Sequence, residues 1–176
     1  MSDVEAIMAA TTRMLRDPTE QNYTHVIKML TARGYHKGIS KKVRAMEDLE
    51  LSGRHDEAIA FFKKVNPALI LSPTAAMLYG GALRSAGQTD AAETYAMAAC
   101  TLGDVIGETG DGSPGRPYKL FAAADAGGFI ELHLETGTVK SGAVEYGGQR
   151  LLVHVTEEGK QICFTAADLE ELLGAR

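Results

Sequence analysis

Cysteine is scarce in this sequence. Cys100 and Cys163 stand 63 positions apart, which excludes a disulfide framework and a C-x-x-C metal or redox pair; each is expected to serve as a small buried hydrophobe. No run of about 18 apolar residues occurs, which excludes a membrane-spanning helix. The opening MSDVEAIMAATTRML has acidic residues and no basic stretch ahead of its apolar part. That is not the build of a secretory leader, and a cytoplasmic chain is expected.

Catalytic signatures are missing as well. The five histidines, His25, His36, His55, His133 and His154, form no H-x-x-x-H or H-E-x-x-H arrangement, so no zinc site is predicted. There is no G-x-x-x-x-G-K-[ST] phosphate loop and no serine in a G-x-S-x-G setting. Gly107 and Thr109 occupy places where a calcium loop ending at Gly112 needs oxygen ligands. No cofactor or metal is expected.

Basic residues are not in excess, since the net charge is −5. Residues 1–103 hold 12 Lys+Arg against 11 Asp+Glu, whereas 104–176 hold 6 against 12. The acidic second part is a poor partner for phosphate backbones, and no nucleic acid is predicted. The cluster Lys37, Lys41, Lys42 and Arg44 reads as a solvated helix face.

What the sequence does contain is an internal repeat. Gly53 opens GRHDEAIAFFKKV, and 34 positions later Gly87 opens GQTDAAETYAMAA, with Ala58 matched by Ala92 and Leu49 by Leu83. A period of 34 built from two helices and a tight turn is that of the tetratricopeptide repeat. Ala58 and Ala92 occupy its small site, Phe62 its large site, and Gly80 its close-approach site. Lys42 and Ala76 replace the usual aromatic residue, and the closing proline is absent. Helices are predicted over 39–52, 55–66, 73–86 and 89–103, with a further hairpin from residues 4–33.

After residue 103 the chain changes character. Glycine and proline crowd the stretch from Gly103 to Pro117, which predicts a connecting loop. Strands are expected over 118–122, 139–146, 151–155 and 161–164, with hairpin turns at Gly147-Gly148 and Glu158-Gly159. Residues 128–135 are ambiguous, because Ile130, Leu132 and Leu134 alternate with Glu131, His133 and Glu135 as in a half-buried strand. A short helix over 166–173, capped by Thr165, closes the chain. The expected class is α+β: a tetratricopeptide-like helical region (1–103), a Gly/Pro-rich loop (104–117), and a small antiparallel sheet with a C-terminal helix (118–176).

Gly110, Asp111, Gly112, Pro114, Pro117 and Tyr118, with the hairpin LLVHVTEEGKQICF behind them, carry a resemblance. Over about residues 40–165 the chain resembles a family of uncharacterised bacterial proteins, a domain of unknown function. In that family tetratricopeptide-like helices lead through a G-D-G-x-x-P loop into a small sheet. The resemblance implies architecture and no activity. Gly110, Asp111, Gly112, Pro117 and Tyr118 are expected to have a structural role in the loop.

The predicted function is a non-enzymatic protein-interaction module that binds through the helical-repeat face or the acidic sheet unit. In tetratricopeptide hairpins the first helix of each repeat lines the concave face, which places Glu47, Glu50, Met77, Gly81 and Arg84 there as partner-binding residues for an unknown protein. The chain's own sheet is a possible occupant of that face. Two other classes stay open: an acidic immunity-type protein that neutralises a basic toxin, and an enzyme assembled at the helix–sheet junction near Asp111, Tyr118 and His133. In the sheet, His133 and His154 are candidates to face each other across strands. A homo-oligomer covering an open repeat end or a free strand edge also stays open.

Overall fold

A computed structural model describes residues 2–174. Six helices come first: α1 (Asp3–Arg16), α2 (Glu20–Ala32), α3 (Ile39–Leu51), α4 (His55–Val65), α5 (Pro73–Ser85) and α6 (Thr89–Glu108). A short 3-10 turn, Ala68–Leu71, joins α4 to α5. Then follow β1 (Tyr118–Leu120), α7 (Asp125–His133), β2 (Thr138–Tyr146), β3 (Gln149–Thr156), β4 (Gln161–Ala166) and α8 (Leu169–Gly174). The class is α+β, and no described helix is long and apolar enough to cross a membrane.

Local chemistry explains the helix starts. The Ser2 hydroxyl and Glu5 carboxylate form a capping box on α1, Thr19 caps α2, and Ser72 accepts from the Ala75 amide with Pro73 in the first turn of α5. The two repeated turns are built alike. Gly53 and Gly87 have φ of 68° and 75°, a left-handed conformation that glycine adopts without a Cβ penalty. Each admits the same bond one residue later: Arg54 N–H to the Leu49 carbonyl and Gln88 N–H to that of Leu83, both 2.9 Å.

Packing between the repeats also follows the period. Ala58 and Ala92 are fully buried. A Cβ on Gly80 would lie 3.1 Å from the Ala92 carbonyl oxygen, so α5 and α6 approach closely there. Phe62 stacks on Tyr79 with ring centroids 4.1 Å apart, and Tyr95 meets Tyr79 edge-on at 4.6 Å. These rings join α4, α5 and α6. The first hairpin is helical too, but α1 and α2 pack against each other and against α6.

The sheet has the order β1-β4-β3-β2. It is mixed, which corrects the antiparallel expectation: β1 runs parallel to β4, with Tyr118 opposite Phe164, while the β2–β3 and β3–β4 pairs are antiparallel. Entry through the Gly/Pro loop brings β1 alongside β4 in the same direction, a pairing that no hairpin turn announces. Helix α6 runs five residues beyond the expected end at 103, to Glu108, which shortens the loop. Strand β4 extends to Ala166, so α8 starts at Leu169 and not after Thr165. Buried side chains form one large cluster that runs from Ile7 and Tyr23 through Leu102 to Phe121, Ile130 and Phe164. A small second cluster, Leu151, Val153 and Cys163, occupies the other face of the sheet.

Candidate functional site

The stretch that holds Ile130 and Leu132 is helical as far as His133, the last part of α7, and not a strand; Leu134 follows the helix end. Its alternation does not track burial in the way a strand's would, for Ile130 is fully buried and Leu132 is 59% exposed. Helix α7 packs on α5 and α6. Two aspartates hold this stretch in place. The Asp125 carboxylate accepts from the Ser72 hydroxyl (2.7 Å) and the Thr74 amide (3.3 Å) at the start of α5. Asp168 accepts from the Ser40 amide at the start of α3 (3.0 Å) and from the Ala123 amide (2.8 Å).

These contacts answer a need in the helical part. Gly38, the residue before helix α3, has no side chain to cap it; the Glu171 carboxylate accepts from the Gly38 amide at 2.8 Å. Acids from the C-terminal part thus satisfy the free amides at the starts of α3 and α5, the first helices of the two repeats, where the helix dipole favours negative charge. Asp125 is fully buried, and among the described residues its second oxygen has no partner. Burial pushes its carboxyl up from 3.8 to about 7, against the pull of the Ser72 and Thr74 bonds. The Tyr23 hydroxyl is buried too, and burial and the nearby Asp125 raise its pKa.

Helix α7 separates two open spaces. On one side, a cavity of about 300 Å³ lies between α5, α6 and α7, lined by Thr74, Met77, Cys100, Phe129, Leu132 and His133 among others. Its walls are mostly apolar. The His133 ring stacks on Phe129 (4.9 Å) and lies over Gly103 and Gly107, where a Cβ would come within 3.4 and 2.7 Å of ring nitrogens. Asp104 stands 3.8 Å from His133 at the rim. On the other side, a cleft of about 460 Å³ is bounded by Arg44 and Glu47 of α3, Gly127, Ser141 and Ala143 of β2, and His154. Partial burial raises the Glu47 carboxyl and lowers the His154 imidazole, which favours the neutral ring.

The expected binding residues therefore divide. Met77, 43% exposed, belongs to the apolar cavity, and Glu47 to the polar cleft. Glu50 receives His55 at 2.9 Å and lies against Gly81, while Arg84 points into solvent, exposed. His133 and His154 do not face each other across strands, because His133 is on α7 and His154 on β3. Cys163 is buried but Cys100 is exposed, at the cavity.

In the loop, Gly110 is held so close to Pro117 that a Cβ would lie 2.5 Å from the Pro117 carbonyl oxygen. Gly112 has φ of 75° beneath the Tyr118 ring and accepts from the Cys163 amide at 2.9 Å. Asp111 is exposed and accepts from the Ser113 amide; hydrogen bonding to the Ser113 hydroxyl, and then to that amide, lowers its carboxyl. Tyr118 packs on Phe129 at 5.0 Å. Of Asp111, Tyr118 and His133, His133 lines the cavity and the other two do not. Among the described residues no group of three or more His, Cys, Asp or Glu is placed to hold a metal ion.

The two capping aspartates escaped the sequence reading, although a faint signal exists. Both end an Ala-Ala-Asp tripeptide, at Ala123–Asp125 and Ala166–Asp168. Compared with family models, curated proteins and solved structures, the chain matches none.

Proposed function

We propose that this chain is a non-enzymatic protein-interaction module whose partner is held at the apolar cavity between α5, α6 and α7. The observation that carries the proposal is the cavity itself, open and largely apolar, with Met77 and Leu132 exposed at 43% and 59% beside it. Apolar side chains grouped around a concavity in this way mark contact sites for other molecules. At about 300 Å³ the space is sized for one or two large side chains, the kind of anchor around which binding energy concentrates. The occupant is accordingly a partner segment that presents an aliphatic or aromatic residue.

The chain's own Ala123–His133 stretch supports the same location, because it lies between the repeat helices and the sheet and leaves Met77 open on one side. The neutraliser alternative has less support: Asp125, Asp168 and Glu171, three of the acids behind the charge asymmetry, bond helix starts within the chain. The position of Asp111 and Tyr118 outside the cavity likewise weakens the enzyme alternative. Membership of the uncharacterised bacterial family belongs to the proposal and rests on Gly110, Asp111, Gly112, Pro117 and Tyr118. A cytoplasmic setting is proposed with it.

The test is affinity capture with two variants side by side. Met77→Asp with Leu132→Asp is expected to lose the partner, and the Glu47, Glu50 and Arg84 to alanine triple variant to keep it. The reverse pattern would place the partner on the polar side of α7 and overturn the assignment.

A further inference from the structure

Among the described residues strand β2 is an edge strand with one neighbour, β3. All nine of its residues are exposed, among them Val144 (46%) and Tyr146 (53%). An open edge presents unpaired amides and carbonyls, and folded proteins usually blunt it with proline, inward charge or bulges. Here there is no proline, and the bulge lies at Thr138/Lys140, which leaves Lys140–Tyr146 regular. That stretch has one positive residue, Lys140, and one negative, Glu145.

We infer that β2 pairs antiparallel with β2 of a second copy of this chain, on a two-fold axis through Ala143. Symmetry limits the possible registers. A two-fold that joins two edge strands antiparallel stands perpendicular to the sheet and keeps each face on its own side, and side chains alternate between faces. Each residue therefore meets a partner residue of the same parity. Centring on Ala143 pairs the whole regular stretch. It sets Lys140 opposite the partner's Tyr146, Ser141 opposite the partner's Glu145, and Gly142 opposite the partner's Val144.

Each of these pairs is complementary. A lysine meets an aromatic ring, a hydroxyl meets a carboxylate, and no like charges oppose. Gly142 leaves open space, with nothing among the described residues within 4 Å of where a Cβ would stand, and the partner's Val144 fills it. Gly142 is opposite Val153, Val144 is opposite Leu151, and Val153 is opposite Cys163. Pairing thus joins the small Leu151, Val153 and Cys163 cluster of each copy into one apolar strip. A second copy is favoured over an unrelated strand because the edge complements itself residue by residue.

Sedimentation of the full chain tests the inference. The expected result is a mass of twice 18.8 kDa that falls to one chain on dilution. Tyr146→Lys, which sets two lysines against each other, is expected to give a monomer, and adding Lys140→Glu to restore the dimer. Ala143→Cys in a Cys100→Ser background is expected to cross-link on mild oxidation, because residues opposite each other across strands bring Cα atoms to about 4.5–5.5 Å. A monomer at the highest soluble concentration overturns the inference. So does a dimer that survives Tyr146→Lys and gives no cross-link, for another face would then hold it.

Discussion

Replacing Asp125 by asparagine tests the most consequential buried group in the protein. Its carboxyl titrates at about 7 in the folded chain against an ordinary 3.8, chiefly because burial opposes the charged form. The folded state therefore holds the proton more tightly than the unfolded state. The stability this confers is complete below about pH 3.8 and is lost as pH rises through about 7. One pKa unit corresponds to about 1.4 kcal/mol, so wild type should lose about 3 kcal/mol between about pH 5 and pH 8 from this group. For a chain of this size that lowers the melting temperature by roughly 6–12 °C. Asparagine keeps an oxygen for Ser72 and Thr74 and does not titrate. Asp125→Asn should melt above wild type at about pH 8, and the gap should close towards about pH 5. Thermal melts of both proteins across that range decide the matter. Parallel falls in the two proteins would show that Asp125 does not carry the pH dependence and would refute the burial account.

Other outcomes follow from particular contacts. Asp168→Ala strips the Ser40 and Ala123 amides of their acceptor inside the protein and should cost about 2–5 kcal/mol in urea unfolding, with Asp168→Asn milder. Phe62→Ala removes a buried ring stacked on Tyr79 and should cost about 3–5 kcal/mol by the same measurement. Gly80→Ala forces a Cβ to 3.1 Å from the Ala92 carbonyl oxygen; the expected loss is about 1–3 kcal/mol, whereas an unchanged or raised stability would mean that α5 and α6 can separate at no cost.

The sequence alone determined those features whose causes lie within a few tens of residues. The 34-residue period was legible because each repeat reuses the same turn, with a left-handed glycine at Gly53 and Gly87, and the same small residues at Ala58 and Ala92. The Gly147-Gly148 hairpin was legible for the same reason, since both glycines adopt positive φ and the strands they join are adjacent. Features built from distant partners were set by packing in three dimensions. Strand β1 pairs in parallel with β4, more than forty residues on, and no local pattern encodes that direction. The alternation over 128–135 suggested a strand, yet the stretch lies on α5 and α6, where a helix satisfies its own backbone. Asp125 and Asp168 look like ordinary surface acids in sequence; their roles come from helix starts 51 and 128 residues away. The expected binding residues share a period along the chain, but α7 divides them in space, with Met77 at an apolar cavity and Glu47 in a polar cleft. Periodicity reports which side of a helix a residue occupies, and only packing decides what covers it.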